Sequence, residues 1–321
     1  MAPSPRRRTL WRRFRRATRG PRNAALAAGI WHAARLLGRL PVPAALAVGR
    51  GLGTGAHAVL GEARRLALVQ LGVAFPTLPL DARARLVRAT FVHAGESFAE
   101  LALWPKLVRR PDYVRVEQLA VLDDALHAGR GAIAVTGHTG NWELLAATVA
   151  ARGYPVTVVA RRVNDRRFDA LVNRFRRSVG LEVLVRDAPQ FLAGVRDALA
   201  RNRIVAMLID QDTRGAGVFV PFFGRLAHTP PGAALLALRA RVPLVTVFIE
   251  RRPGGGHLVR FAPVAVPAER GRAAVVGLTA ALTTAIEAQI RRAPAEWVWW
   301  HERWRRTPPA PAPPTHGAAV S

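Results

Sequence analysis

A histidine and a glutamate stand five positions apart in the segment T-G-H-T-G-N-W-E, residues 136–143, directly after the apolar run G-A-I-A-V. A histidine at the end of a strand titrates near neutrality, so it can take up and return a proton. A carboxylate that reaches its second ring nitrogen fixes the tautomer and stabilises the imidazolium. We therefore predict His138 as a general base and Glu143 as its orienting carboxylate.

The sequence offers this pair no nucleophile of its own, since it has no cysteine and no G-x-S-x-G motif. A histidine and a carboxylate without a serine or cysteine most naturally activate a hydroxyl that belongs to the substrate. Backbone amides at Gly137, Gly140 and Asn141, at the start of the next helix, are candidates for stabilising an oxyanion. Two alternatives stay open: activation of water by His138, and a plain loop histidine beside a glutamate favoured by the helix dipole.

Charged side chains also follow two other apolar runs. The run PVTVVA is followed by Arg161. The run IVAMLID ends in Asp210 and is followed by Asp212, then by a glycine-rich turn and an aromatic loop that carries Arg225. In open α/β sheets, sites form at the carboxyl ends of strands. We therefore predict that these four residues join His138 in one site as substrate-binding groups.

The elements that would position these residues follow from hydrophobic periodicity. Beyond Pro111, short β-branched runs alternate with amphipathic helical stretches, which predicts an α/β fold with a mainly parallel central sheet flanked by helices. The predicted strands are AIAVTG, PVTVVAR, EVLVR, IVAMLID, PLVTVFIE and HLVRFA. The predicted helices cover 141–152, 165–179, 189–201, 230–241 and 271–292.

Four regions are predicted along the chain. Residues 1–22 hold nine arginines and no acid, which predicts a disordered basic arm suited to an anionic membrane surface. Residues 23–110 are predicted as a helical membrane-associating region, 111–306 as the catalytic α/β core, and 307–321 as a disordered Pro/Ala-rich tail. No N-terminal segment gives the ~20 uninterrupted apolar residues of a spanning helix, so interfacial helices are favoured over a signal peptide or a soluble hairpin.

The chain has 321 residues, half of them apolar, and a formal charge of +27 in which Lys106 is the only lysine. Such a charge attracts nucleic acid, anionic lipid head groups or an acidic carrier protein. A nucleic-acid-binding protein is therefore the rival class, although we find no recognised nucleic-acid motif. The lack of cysteine excludes disulfides and thiolate metal sites, and no metal or cofactor is expected.

Several longer segments have a familiar pattern, in a fixed order from about residue 62 to 308. They are LVQLGVAFPTL, FVHAGESFAEL, GHTGNWE, DQDTRGAGVFVPFFGRLAHTPPGAALLALRARVPLV and PAEWVWWHERWRRTP. Together they resemble the bacterial lipid A biosynthesis acyltransferase family, the late lauroyl and myristoyl transferases of lipopolysaccharide biosynthesis. Gln70 departs from the pattern, because the family usually has Asn there, and so does the R-V-N-D sequence after Arg161.

The resemblance implies transfer of a fatty acyl chain from acyl carrier protein to a hydroxyl of an anionic membrane glycolipid, at the cytoplasmic face of the inner membrane. It implies that His138 and Glu143 are catalytic. It also implies that Arg161, Asp210 and Arg176 lie in the same site and help position either the lipid phosphates or the catalytic pair. The stretch RFRRSVG leaves Arg176 and Arg177 interchangeable. A branch of the same superfamily acylates mannosylated phosphatidylinositol with acyl-CoA, and the motifs do not separate these acceptors.

Overall fold

The computed structural model describes residues 28–29, 32–162, 166–213 and 215–308, without the side chains of 166–168 and 171. It is a mixed α/β fold in which helices flank a mostly parallel central sheet, as the sequence predicts. The predicted basic arm, 1–22, and most of the predicted tail, 309–321, lie outside the described residues.

In the described part of the chain, residues 32–37 are helical, and the helices α1 (Val42–Val59), α2 (Gly61–Ala74) and α3 (Leu80–Leu107) follow before the sheet. The helices α1 and α3 cross at a seam of glycines, where a Cβ on Gly53 would overlap the carbonyl oxygen of Phe91. Whether this helical region associates with a membrane stays a prediction.

Strands and helices then alternate along the chain. The strands are β1 (Val114–Glu117), β2 (Ala132–Thr136), β3 (Val156–Ala160), β4 (Glu182–Val185), β5 (Ile204–Leu208), β6 (Val218–Phe222), β7 (Arg225–Thr229), β8 (Leu244–Arg251) and β9 (His257–Val264). The helices are α4 (Ala120–His127), α5 (Trp142–Ala151), α6 (Arg166–Ser178), α7 (Phe191–Ala200), α8 (Gly232–Ala240) and α9 (Arg272–Arg292), followed by a 3₁₀ turn (Pro294–Glu296).

Within the described residues, the central sheet has the strand order β1-β9-β8-β2-β5-β3-β4. Strands β8, β2, β5, β3 and β4 run parallel to one another. Strand β9 is antiparallel to β8, and β1 runs parallel to β9, so these two strands at one side of the sheet oppose the other five. The fully buried strand β2 pairs with β5 in a register that sets Thr136 opposite Leu208. The residues that follow these two strands therefore leave the sheet side by side.

The prediction of an aromatic loop after Asp212 is wrong, because this segment forms the antiparallel ribbon β6–β7. Its turn places Phe223 and Gly224 at φ 52° and 72°, the left-handed pair that a two-residue hairpin turn requires. Phe223 tolerates that backbone because its ring is buried against Phe75 and Trp299. Pro221 has no N–H to donate to a neighbouring strand, so in the sequence it argues against a strand. A two-stranded ribbon leaves one edge of each strand unpaired, and proline is tolerated at such an edge.

The hydrophobic core lies in two clusters of buried side chains, one of which includes both Trp297 and Trp299. Helix α9 contributes Leu278, Leu282 and Ile286 to the same cluster. Among the described helices, α9 is the one long and apolar enough to cross a membrane by length and composition. Its buried apolar face marks it here as a helix of the core.

Candidate active site

His138 leaves the end of β2 and meets Asp210, which leaves the end of β5. Its Nδ1 lies 2.7 Å from Asp210 Oδ1, and its backbone N–H donates to Oδ2 at the same distance of 2.7 Å. Trp297 donates its indole N–H to Oδ2, also at 2.7 Å. Asp210 is only 2% exposed, and its carboxylate faces these donors. Its contact in the described structure is with His138, which it is placed to orient, and substrate binding by Asp210 stays a prediction.

The Asp210 carboxylate fixes the tautomer of the neutral His138 ring. Burial alone raises the pKa of Asp210, but the charge and hydrogen bonds of His138 and the Trp297 indole outweigh burial and hold this pKa well below its usual value. An ionised carboxylate only accepts hydrogen bonds, so Nδ1 must carry the proton. Nε2 then has a free lone pair, and it has no hydrogen-bond partner among the described residues. A neutral ring in this tautomer can accept a proton at Nε2.

The turn that carries His138 is tied to the C-terminal segment. Val298 N–H donates to the His138 carbonyl at 3.2 Å, and Gly140 N–H donates to the Glu296 carbonyl at 3.0 Å. A Cβ on Gly140, where φ is +63°, would overlap the Ile249 carbonyl oxygen. These contacts give the turn one conformation.

Glu143 has a different partner from the one we predicted. Its carboxylate is held by both arms of Arg176, from Nε at 3.1 Å and Nη2 at 2.5 Å, in a half-buried two-point pair. Asp210, not Glu143, occupies the position beside His138 Nδ1, because β2 and β5 are neighbours. The same contact separates the two ambiguous arginines, since Arg176 meets Glu143 whereas Arg177 lines a shallow pocket with Arg162. A catalytic role for Glu143 stays a prediction.

Three further predicted substrate-binding residues do not converge on His138. Asp212 is buried and holds His228 Nδ1 at 2.9 Å. Arg225 lies exposed at the start of β7. Arg161 is exposed at the end of β3, with Nε 3.8 Å from Asp187. Of the residues predicted at strand ends, the described structure brings His138 after β2 into contact with Asp210 after β5.

The predicted oxyanion amides are partly engaged elsewhere. The N–H of Gly140 is used by Glu296, and the Asn141 side chain caps α5 by accepting from Leu144 N–H at 3.0 Å. Gly137 gives room for the site, since a Cβ there would lie 3.1 Å from Asp210 Oδ2. The first amides of α5, which have no partner within the helix, point out of its N-terminus beside His138.

Comparison with known proteins decides the family. Residues 12–306 match the family model described as bacterial lipid A biosynthesis acyltransferase. The chain belongs to this family. It is accordingly an acyltransferase, and the resemblance noted in the sequence is confirmed.

Three curated relatives show how the acyltransferase is related. It is 30% identical to a phosphatidylinositol mannoside acyltransferase of Mycolicibacterium smegmatis over 70% of this chain and 74% of that protein. It is 32% identical to a protein of the same description from Mycobacterium tuberculosis over 62% of each chain. It is 25% identical to a lipid A biosynthesis palmitoleoyltransferase of Escherichia coli over 84% of this chain and 88% of that one.

Two residues of the candidate site escaped sequence reasoning. Trp297, which fixes Asp210, is separated from it by 87 positions, and only the aromatic segment PAEWVWW pointed to this region. Trp142 sets its ring edge-on to His138, with centroids 5.1 Å apart. In the described part of the chain, no group of three or more His, Asp or Glu side chains is placed to hold a metal ion.

Proposed function

We propose that this acyltransferase moves a fatty acyl chain from a thioester donor to a hydroxyl of a phosphorylated membrane glycolipid. The observation that carries the proposal is the His138–Asp210 pair, whose Nε2 is left open while its Nδ1 is held at 2.7 Å. The arrangement matches a catalytic triad from which the enzyme's own nucleophile is missing, so the substrate hydroxyl takes that place.

The reaction proceeds in two proton steps. Nε2 of His138 takes the proton of the acceptor hydroxyl as its oxygen forms a bond to the thioester carbonyl carbon. The tetrahedral intermediate then expels the donor sulfur, which takes the proton back from the imidazolium. Asp210 stabilises the imidazolium between these steps, because its buried carboxylate is 2.7 Å from Nδ1. The products are an ester on the acceptor and a free donor thiol.

The negative oxygen of the intermediate needs donors that the protein does not already use. The N–H groups of Trp142 and Glu143 stand in the first turn of α5, next to His138, where the helix dipole also favours negative charge. We assign the oxyanion site to these two amides in place of Gly140, whose N–H is bound to Glu296. Gly137 and Asn141 contribute the close backbone approach and the cap.

The acceptor is proposed from the relatives. The phosphatidylinositol mannoside acyltransferases, at 30% and 32% identity, favour a mannosylated phosphatidylinositol as acceptor. A lipid A precursor is the second candidate, favoured by the longer alignment to the palmitoleoyltransferase. Acyl carrier protein and acyl-CoA are both candidate donors, and each carries acidic groups that suit a chain of charge +27.

Apolar side chains on α1 and α2 support a membrane location. Val48, Leu52 and Val59 on α1, with Leu60 and Val69, are all at least 43% exposed. Exposed apolar groups on a strongly basic chain suit an anionic lipid surface, where a membrane glycolipid is found. We propose that the enzyme works at the cytoplasmic face of the inner membrane.

The test is a four-way assay. The purified full chain is incubated with acyl-CoA or acyl carrier protein, each combined with phosphatidylinositol mannoside or a lipid A precursor, and products are weighed by mass spectrometry. We expect one acceptor to gain the mass of the fatty acid less one water, and His138→Ala to lose about 10²–10⁴-fold in rate. Release of free fatty acid without any acylated lipid would identify a hydrolase instead.

A further inference from the structure

A buried carboxylate outside the catalytic pair organises the back of the same turn. Glu100 on α3 is completely buried, with 0% of its surface exposed, and five hydrogen bonds converge on it. Its Oε1 accepts from Tyr113 Oη at 2.7 Å, and lies 2.8 Å from both Arg251 Nη1 and His257 Nε2. Its Oε2 accepts from Asn141 Nδ2 at 2.8 Å and from Arg251 Nη2 at 3.2 Å.

The bond to Asn141 is the direct link to the catalytic turn. An amide side chain can present either its oxygen or its nitrogen, and an acceptor-only carboxylate selects the nitrogen. The Ser97 carbonyl, 3.4 Å from the same Nδ2, favours the same orientation. The Asn141 oxygen is thereby turned toward Leu144 N–H, where it caps α5 at 3.0 Å. The start of α5, with its free amides, is oriented from behind by Glu100.

A second link runs through Arg251. Its guanidinium is bound to Glu100, and its backbone N–H donates to the Glu296 carboxylate at 3.0 Å. The Glu296 carbonyl in turn accepts from Gly140 N–H at 3.0 Å. Glu100 therefore reaches two consecutive residues of the turn, Gly140 and Asn141, by separate routes that together form a ring behind His138.

Burial of an ion network is not required for stability, because apolar side chains of the same volume often stabilise a core as well or better. We therefore interpret the charged cluster around Glu100 as a means of fixing geometry and not as a source of folding stability. Glu100 lies on α3, and its donors come from β8, β9, the turn itself and Tyr113 just before β1, so the cluster fixes how these elements meet.

We propose that Glu100 is a positioning residue for acyl transfer, which holds the turn of residues 137–141 so that His138 and the first amides of α5 face the reacting carbonyl together. Glu100 touches no substrate and acts through Asn141 and Arg251. This inference rests on the proposed function, because the reaction supplies its readout.

The first test is Glu100→Gln. Three donors converge on Oε1 and two on Oε2, so the amide oxygen takes the Oε1 place and the amide nitrogen faces Asn141 Nδ2. The NH₂ group of the new glutamine and the NH₂ group of Asn141 are both donors, so they repel each other and the turn shifts. We expect kcat to fall about 10- to 100-fold, the effect of misplacing catalytic groups by a fraction of an ångström to an ångström. The KM values for both substrates should change little, since Glu100 is buried away from them.

The rescue is the double variant Glu100→Gln with Asn141→Asp. The amide nitrogen of residue 100 now donates to the carboxylate of residue 141, which also caps α5, because Asp is as good a cap as Asn. The pair keeps one carboxylate and one amide, with the hydrogen bond reversed. We expect kcat to rise above that of Glu100→Gln; equal kcat in the two variants would overturn the proposal.

The matched control is Tyr113→Phe, which removes a donor to the same carboxylate on the side away from Asn141. It should lower Tm and leave kcat unchanged, whereas a loss of kcat matching Glu100→Gln would mean that any damage to the cluster suffices and would overturn the specific role.

Asn141→Ser covers the case in which Glu100→Gln does not fold. Serine still caps α5 but is too short to reach Glu100. We expect a loss of kcat similar to that of Glu100→Gln, and wild-type kcat would overturn the proposal. Absence of acyl transfer in the wild-type chain would count against the proposed function, a result distinct from unaffected variants of an active enzyme.

Discussion

His138 takes its orientation from a carboxylate 72 positions away and not from the one five positions away. Asp210 receives three hydrogen bonds, from His138 Nδ1, from His138 N–H and from Trp297 Nε1, and so has a single placement. Glu143 is instead neutralised by Arg176, the pair that ties α6 to the first turn of α5. The two carboxylates therefore have separable tasks at the residue scale.

Asp210→Asn should remove most of the activity. Two donors meet Oδ2, so the asparagine oxygen takes that place and its NH₂ group faces His138 Nδ1. The ring then carries its proton on Nε2 and cannot accept one from the substrate. We expect kcat to fall about 10²–10⁴-fold, the scale of lost general base catalysis.

Glu143→Gln is the comparison for that variant. The amide keeps one acceptor for Arg176, so the loss of kcat should be smaller than for Asp210→Asn. Steady-state kinetics of both purified variants with the active donor and acceptor measure the difference. An equal or larger loss in Glu143→Gln would restore the orienting role that the sequence suggests.

Glu296 should make stability depend on pH. Burial raises the pKa of Glu296 to about 7, although the hydrogen bond from Arg251 N–H lowers it. The folded state thus binds this proton more tightly than the unfolded chain, in which the pKa is near 4.5. The contribution of protonated Glu296 to the free energy of unfolding is complete below pH 4.5 and is lost as pH rises through 7. It amounts to about 3 kcal/mol at most.

The neutral variant Glu296→Gln isolates this contribution from the other carboxylates. The Tm of the variant relative to the wild type should increase between pH 5 and pH 8, measured by thermal unfolding at matched ionic strength. A constant difference across that range would show that Glu296 does not titrate there.

At the scale of elements, the helices α1 and α3 meet through glycine. Gly49, Gly53 and Gly95 lie where a Cβ would collide with the backbone of the other helix. The helix α3 also carries Glu100, and Glu96 on the preceding turn pairs with Arg50 of α1 at 3.0 Å. Helix α3 therefore contacts α1 on one side and, through Glu100, the turn of residues 137–141 on the other.

Gly53→Ala should force the two helices apart. The added methyl overlaps the carbonyl oxygen of Phe91, and backbone cannot yield as a side chain does. We expect a loss of stability of about 1–3 kcal/mol, seen in Tm or in chemical denaturation.

Gly51→Ala is the matched control on the same helix. A Cβ at this exposed position meets nothing within 4 Å, so the higher helix propensity of alanine should stabilise the chain by up to about 1 kcal/mol. Equal effects of the two substitutions would show that the glycine seam does not set the distance between α1 and α3.

At the scale of the whole molecule, net charge and exposed apolar side chains act together. A charge of +27 attracts any polyanion at long range, whereas Leu52 and Val59 on α1 contribute only at a lipid surface. This difference separates a membrane enzyme from the rival class, a nucleic-acid-binding protein.

Binding to vesicles that contain anionic lipid should weaken as salt rises above 0.15 M, where charges are screened beyond about 8 Å. Co-sedimentation with anionic vesicles and with neutral vesicles measures the electrostatic part, and duplex DNA added as a competitor measures selectivity. Leu52→Asp should weaken vesicle binding without changing DNA binding. A chain that prefers DNA to vesicles at every salt concentration would contradict the membrane role.

Much of the fold was predictable because it depends on local periodicity. Runs such as AIAVT and IVAML are buried on both sides, so they are apolar throughout and read as parallel strands. The turn after β2 was predictable as a candidate site once the strand was located, because ligands bind at the carboxyl ends of strands in open α/β sheets. The β6–β7 ribbon was not, because its turn needs Phe223 in a left-handed conformation that only tertiary burial stabilises.

The sequence by itself determined that a histidine would stand at a strand end, that no cysteine or serine elbow would serve as nucleophile, and that the chain resembles the acyltransferase family. Only the tertiary structure decided which carboxylate serves that histidine. Nearness along the chain favoured Glu143, but the side-by-side exit of β2 and β5 brings Asp210 under the ring, and Trp297 arrives from the C-terminal segment to fix it. Strand neighbours are chosen by packing over long separations, and short spacing in a sequence carries no information about that choice.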